Sequence, residues 1–240
     1  LATPRLRGLL SLNLAAAAAG AMVLVNTVVL VRSDLGFDDT QVAIALAAFG
    51  SGSMLAALVL PRLLDHRPDR PVMIGGAAVL VVILLGLALM TVINGFGWTV
   101  LLAGWLVIGV GYSTILTPSG RLLKRSAHPE DRPAVYAAQF ALSHACWLVT
   151  YPLAGWLMTV AGAATAFVTL AVLAAIGLAG ALVFWPKREA EVLQHTHENL
   201  ADDHPHVRHG RSHAHPYIID DHHPHWPPVT KAGYPNTGDE

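Results

Sequence analysis

Thirteen histidines occur in the chain, and ten of them crowd into residues 195–225. His-x-His pairs stand at His195/His197, His204/His206, His213/His215 and His223/His225, about nine residues apart. DDHPH at 202–206 is echoed by DDHHPH at 220–225, which adds His222. Alternate residues of an extended strand point to the same side. Each pair can therefore offer two imidazoles to one cation, with carboxylates close by. Neutral imidazole suits Ni, Zn, Co and Cu. The single cysteine, Cys146, rules out an internal disulfide and any paired-thiolate site. No position closes a four-ligand site, so the chemistry that fits is loose, multi-site chelation rather than a structural zinc centre. The alternative is a solvated, mildly pH-responsive segment that binds metal incidentally. No other cofactor is implied.

The segment preceding these histidines is of a different kind. Apolar types make up 54% of the 240 residues, charged types 13%, and the mean hydropathy is +0.50. Soluble domains carry about a quarter charged residues, so this balance indicates a membrane protein. Six apolar segments stand out, near residues 9–31, 41–60, 71–93, 98–117, 134–160 and 164–185. Each is about 20 residues or longer, enough to cross a hydrocarbon core of about 30 Å. None has Asp, Glu, Lys or Arg in its interior. The expected architecture is an all-α membrane domain over residues 1–188, followed by a disordered His/Pro/Asp-rich tail over 189–240. Basic residues concentrate in alternate loops, at Arg5, Arg62, Arg121 and Lys187, with Arg32 alone on the other side. The positive-inside rule then puts both ends and the tail in the cytoplasm. No signal peptide is legible, and the opening LATPRLRG, without Met, reads as an internal start. The basic residues are topology signals, not a nucleic-acid patch.

Two motifs carry a resemblance. The loop after the second segment reads PRLLDHRPDRPVM. It resembles the G-x-L-x-D-R-x-G-R-R loop between the second and third helices of each half of the major facilitator superfamily. Asp65 matches the acidic position and Arg70 a terminal basic one, while Pro61, His66 and Pro68 replace Gly, Arg and Gly. The fourth segment contains WLVIGVG, which is similar to that family's R-x-x-x-G-x-G helix, with Trp105 in the Arg position and Gly109 and Gly111 matching the glycines. The glycines suit close helix packing. The resemblance covers about residues 5–188 and implies the carboxyl-terminal six-helix half of a twelve-helix transporter, with six more helices ahead of Leu1. It also implies two rocking halves around a midplane site, with the first and fourth segments lining the cavity. Asp65, Arg67 and Arg70 then form the conformational loop. Asn13, Asn26, Thr27, Tyr112, Ser113, Thr114 and Thr117 are the polar residues on the two lining segments, each with the alternative of bonding a neighbouring helix.

The fifth segment adds Gln139 and His144. Histidine titrates near neutrality, and His144 is the only one within any apolar segment. It shares a helical stripe with Phe140, Trp147 and Tyr151. Intramembrane ionisable residues usually face protein or water, so His144 reads either as a proton or substrate contact or as a neutral imidazole bonded to a facing helix. The resulting expectation is a secondary efflux permease in the lipid bilayer of a bacterial cytoplasmic membrane. It resembles metal-resistance permeases, whose nickel-efflux members carry His-rich tails, and this implies a divalent cation as substrate. The segments bear no carboxylate, so efflux of an organic solute by the same fold stays open. So does a non-transporting membrane sensor or buffer of metal. No HExxH, nucleotide-binding glycine loop or nucleophile–base pair points to an enzyme.

Overall fold

The structure, a computed structural model, describes residues 3–93, 96–187, 192–196, 210, 212–220, 223, 225 and 226. The chain divides into two units, Thr3–Lys187 and Arg188–Glu240.

The regular elements among the described residues of the first unit are helices: α1 (Pro4–Val29), a π-helical turn (Leu30–Asp34), α2 (Asp39–Leu64), α3 (Asp69–Ile93), α4 (Trp98–Leu116), the short α5 (Ser119–Arg125) and α6 (Arg132–Phe184). Local chemistry explains the starts. Pro4 and Pro133 occupy first-turn positions, where a missing N–H costs no helical bond. Asp38 caps α2 by accepting from the Thr40 amide at 2.7 Å. Five of these helices are long and apolar enough to cross a membrane. Their outer surface carries large apolar side chains such as Leu58, Val82, Leu148 and Val183, each more than 60% exposed, a surface suited to lipid rather than water.

The fifth and sixth expected segments form one run of 53 residues, interrupted at Gly162. There φ is 78° and ψ is 175°, a region that only glycine occupies without strain. The contacts of α6 with α1 show what this residue does. Before it, Trp147 packs at Gly20 and the Ala154 carbonyl accepts from Asn26, so this arm runs parallel to α1. After it, Gly177 meets Ser11 and Ala15, Gly180 meets Ser11, and Trp185 meets Gly8, so this arm runs antiparallel. The chain therefore reverses at Gly162, and the two arms, residues 132–161 and 163–184, both pack on α1. The alanine run Ala15–Ala19, fully or almost fully buried, lets its neighbours approach closely. The short α5 has no counterpart among the six expected segments.

Glycines also set the α2–α4 crossing. A Cβ on Gly109 would lie 2.9 Å from the Ser53 amide nitrogen and closer still to the Phe49 carbonyl, and one on Gly52 would overlap the Leu106 carbonyl. Gly111 stands against Leu80 and Gly76 of α3 in the same way. Both glycines of the WLVIGVG helix are thus packing residues. Trp105, the residue at the Arg position, is fully buried, and its indole N–H donates to Thr27 Oγ1 at 2.8 Å.

In the second unit, β1 (Val192–Thr196) and β2 (Ser212–Pro216) pair antiparallel. The expectation of a tail without regular structure is corrected at these residues. Extended histidine-bearing strands can satisfy their backbone groups by pairing with each other.

Candidate functional site

A cavity of about 470 Å³ lies between α1, α4 and the first arm of α6. On α1, Asn13 and Leu24 line it; on α4 and the start of α5, Tyr112 and Ser119; on α6, Gln139, His144, Trp147 and Tyr151. Of the residues singled out in the sequence, Asn13, Tyr112, Gln139 and His144 therefore come together. Trp147 and Tyr151 belong with them as walls, and their signal was the helical stripe they share with His144. Ser119 and Ser143 also line the space and carried no signal of their own.

The polar groups differ in how they are satisfied. His144 Nδ1 lies 2.8 Å from the Phe140 carbonyl. A carbonyl only accepts, so Nδ1 carries the proton and Nε2 is left with its lone pair in the neutral ring. The Phe140 ring centroid is 3.9 Å from the imidazole. Ser119 and Ser143 donate to Leu116 and Phe140 carbonyls. Asn13 is 4% exposed, and its Nδ2 has no hydrogen-bond partner among the described residues. The aromatic wall is continuous: Tyr112 and Trp147 centroids are 6.2 Å apart, and Trp147 and Tyr151 are 4.8 Å apart.

The other polar candidates lie outside this cavity. Asn26 donates to the Ala154 carbonyl at 3.1 Å and to Met22 sulfur, tying α1 to α6. Thr27 bonds the Val23 carbonyl and accepts from Trp105. Ser113 and Thr117 bond each other at 3.2 Å, and Thr114 donates to Val110. The hydroxyls and the Asn26 amide nitrogen are thus bonded within the helix bundle, while Asn26 Oδ1 has no partner among the described residues.

The charged loop is organised around a residue that the motif comparison passed over. Asp65 and Arg67 are exposed, and Arg70 donates to the Trp185 carbonyl at 2.8 Å. The buried acid is Asp69, whose side chain is 3% exposed. Arg121 holds its Oδ1, with Nε at 3.0 Å, and Arg125 holds Oδ2 at 3.2 Å. Arg121 also reaches the Leu64 carbonyl. Arg5 donates to Ser126 Oγ at 2.7 Å and to the Arg125 carbonyl at 2.9 Å. The starts of α1 and α3 and the whole of α5 are thus bolted together at one end of the unit. The available signal for Asp69 was its place in the first turn of a helix, where a carboxylate is favoured.

In the second unit, His195 is directly opposite His213 in the β1–β2 register, and His215 follows two residues along β2. His213 Nδ1 lies 3.0 Å from the Gly210 carbonyl. His223 bonds Asp220 through Nδ1 at 2.7 Å, and the His225 carbonyl accepts from Tyr217 at 2.8 Å. Burial first, and the Asp220 carboxylate second, hold the Tyr217 hydroxyl pKa above its ordinary value. His197, His204, His206 and His222 lie outside the described residues. Among the described residues no three His, Cys, Asp or Glu gather as a metal site.

No curated protein matches the chain. The family model of the Major Facilitator Superfamily matches residues 9–226, which takes in every helix long enough to span a membrane except the first turn of α1. With its lipid-suited apolar surface, this chain is a multi-pass membrane protein and belongs to the major facilitator superfamily, a family of membrane transporters.

Proposed function

We propose that the protein is an efflux permease that moves a small solute through the cavity between α1, α4 and α6. The observation that carries this is the convergence of Asn13, Tyr112, Gln139 and His144 on one space from three helices. In this reading the two arms of α6 are separate crossings, making six spans. The basic end formed by Arg5, Arg121 and Arg125 faces the cytoplasm, and the membrane is the bacterial inner membrane. A preceding six-helix half completes the pathway, and the halves rock about the midplane. The Asp69 cluster holds one of the two conformations, because its charge-assisted bonds join elements that must separate for the other to form. His144 accepts a proton or a substrate hydrogen bond at Nε2. Replacing His144 with Gln is expected to lower transport at least tenfold, because it removes the imidazole from the cavity wall. Unaltered rates in proteoliposomes would remove His144 from the pathway.

A second reading, efflux of a divalent metal cation, is supported by the register of the tail strands. Directly opposed residues of an antiparallel pair have Cβ atoms about 5 Å apart, so His195, His213 and His215 hold positions on one face of the hairpin. There they would capture Ni, Co, Zn or Cu in the cytoplasm and pass it to the membrane unit, with the other tail histidines as further ligands. Cells with the intact protein should then accumulate less of one of these metals and tolerate more of it than cells whose protein ends near Lys187. Equal metal content and growth in the two, and in cells without the protein, would sink metal efflux and leave the organic-solute reading.

A further inference from the structure

Three residues at the centres of three helical segments meet at one level. Gly20 stands within a residue of the middle of Pro4–Asp34, and Tyr112 within a residue of the middle of Trp98–Arg125. Trp147 holds the same place in the first arm of α6, residues 132–161. Gly20 has room for no side chain. A Cβ there would overlap the Trp147 ring and lie 3.3 Å from the Tyr112 ring. The two rings are edge-to-face with centroids 6.2 Å apart, a favoured aromatic geometry. One comes from α4 and the other from α6, and both close down onto the backbone of α1. Each is backed by a further ring. Phe49 of α2 stands 5.5 Å from Tyr112, and Tyr151, one turn along α6, stands 4.8 Å from Trp147.

The cavity has lining on both sides of this layer. The bonds of Arg5 to Ser126 and the Arg125 carbonyl mark the basic end, and α1 and the first arm of α6 run away from it in parallel. Asn13 precedes Gly20 by seven residues and Gln139 precedes Trp147 by eight, which puts them about 10 and 12 Å nearer the basic end at a helical rise of about 1.5 Å per residue. Leu24 and Tyr151 follow Gly20 and Trp147 by four residues, about 6 Å on the far side. All four line the cavity. A hydrated solute passing between Gln139 and Leu24 therefore meets the two rings, and an apolar constriction resists water and what water carries.

We propose that Tyr112 and Trp147, seated on Gly20, are the gate residues with which this unit separates the two membrane faces, and that the pair parts when the pathway opens to the other face. The inference rests on the transport reading above and holds whichever solute is carried, charged or neutral. A preceding half would supply the facing wall, and the ring pair is this unit's share of the barrier.

The test uses the full polypeptide with every native cysteine, Cys146 included, replaced by serine. A single cysteine is then introduced by Gln139→Cys on the basic side of the layer or by Leu24→Cys beyond it. A membrane-impermeant sulfonated maleimide is added to sealed vesicles that present the basic end, and the labelling rate is read. With the pair intact, Leu24→Cys should label at least about tenfold more slowly than Gln139→Cys. Adding Trp147→Ala should speed labelling of Leu24→Cys by about tenfold and leave Gln139→Cys unchanged. Trp147→Phe, which keeps a ring over Gly20, should leave both rates as they were. Tyr112→Leu opens the same layer from α4 and gives an independent reading where Trp147→Ala fails to fold, as judged by melting in detergent. The gate is overturned if the two cysteines label equally fast with the pair intact, or if neither Trp147→Ala nor Tyr112→Leu speeds labelling of Leu24→Cys. Vesicles of the opposite orientation separate this from the transport reading. There, slow labelling of Gln139→Cys with the pair intact reports alternation between two conformations. Such labelling, with Leu24→Cys unaffected by both variants, would overturn the gate and keep the transporter reading. Its absence, with Leu24→Cys speeded by the variants, would uphold the barrier and overturn the transporter reading.

Discussion

Replacing Gly109 with alanine is expected to destabilise the transmembrane unit by about 3 kcal/mol, the upper end of what overpacking costs. The new methyl group meets main-chain atoms rather than flexible side chains. It would collide with the Phe49 carbonyl and stand 2.9 Å from the Ser53 amide nitrogen. Main-chain atoms of α2 cannot rotate aside, so the two helices have to separate. Separation also strains the bond from Ser53 Oγ to the Gly109 carbonyl, now 3.1 Å, and the matching contact of Gly52 with α4. Between helices in lipid there is no hydrophobic drive to restore the contact, since the tails are as apolar as leucine. Dispersion across the close crossing is what holds it. Gly50 is the control. A Cβ there meets nothing within 4 Å, so Gly50→Ala should be neutral or stabilise by about 0.5–1 kcal/mol through helix propensity. Thermal or denaturant unfolding of the purified protein in detergent reads both. Equal stability of Gly109→Ala and Gly50→Ala would contradict the crossing described here.

Removing the carboxylate of Asp69 should cost about 2–3 kcal/mol. Breaking a fully buried ion pair costs about 3–5 kcal/mol, because the partner charge is left without compensation. The figure is reduced here because the guanidinium side chains of Arg121 and Arg125 are 42% and 38% exposed and water screens them in part. Asp69→Ala leaves two arginines facing each other at the start of α3, which adds repulsion. Asp69→Asn keeps an acceptor for one of them and should lose less, about 1–2 kcal/mol. In transport, both variants should shift the balance between the two conformations and slow turnover, Asp69→Ala the more. Unfolding measurements separate the stability effect, and reconstituted transport the functional one. The outcome that refutes this role is an Asp69→Ala protein with wild-type stability and rate, with the effect found instead at the exposed Asp65.

The site was legible in the sequence unevenly, for reasons tied to particular residues. His144 stood out because any ionisable group in an apolar segment is costly, and its neighbours Trp147 and Tyr151 followed from helical spacing. Gln139, Tyr112 and Asn13 were visible only as polar side chains among many. Asn26, Thr27, Ser113 and Thr117 looked the same in the sequence and are engaged within the bundle instead. Asp69 was hidden by the motif itself, which drew the comparison to Asp65, four residues earlier in the turn between α2 and α3. The pairing of His195 with His213 could not be read from the His-x-His repeat, because cross-strand register depends on the intervening chain and its turn.

What the sequence determined alone is the membrane class, the apolar segments and the alternation of basic loops. Hydropathy and charge are properties of each residue that add along the chain, so a local window reads them without a fold. What only the tertiary structure decided is which polar groups meet: Asn13 with the aromatic stripe of α6, Asp69 with Arg121 and Arg125, and α1 with two oppositely directed arms of one helical run. Helices that are apolar nearly all round carry almost no amphipathic signal. Their rotation and their neighbours are set by small-residue contacts such as Gly52 with Leu106, Gly109 with Phe49 and Gly20 with Trp147, and a glycine in the sequence does not say what stands against it.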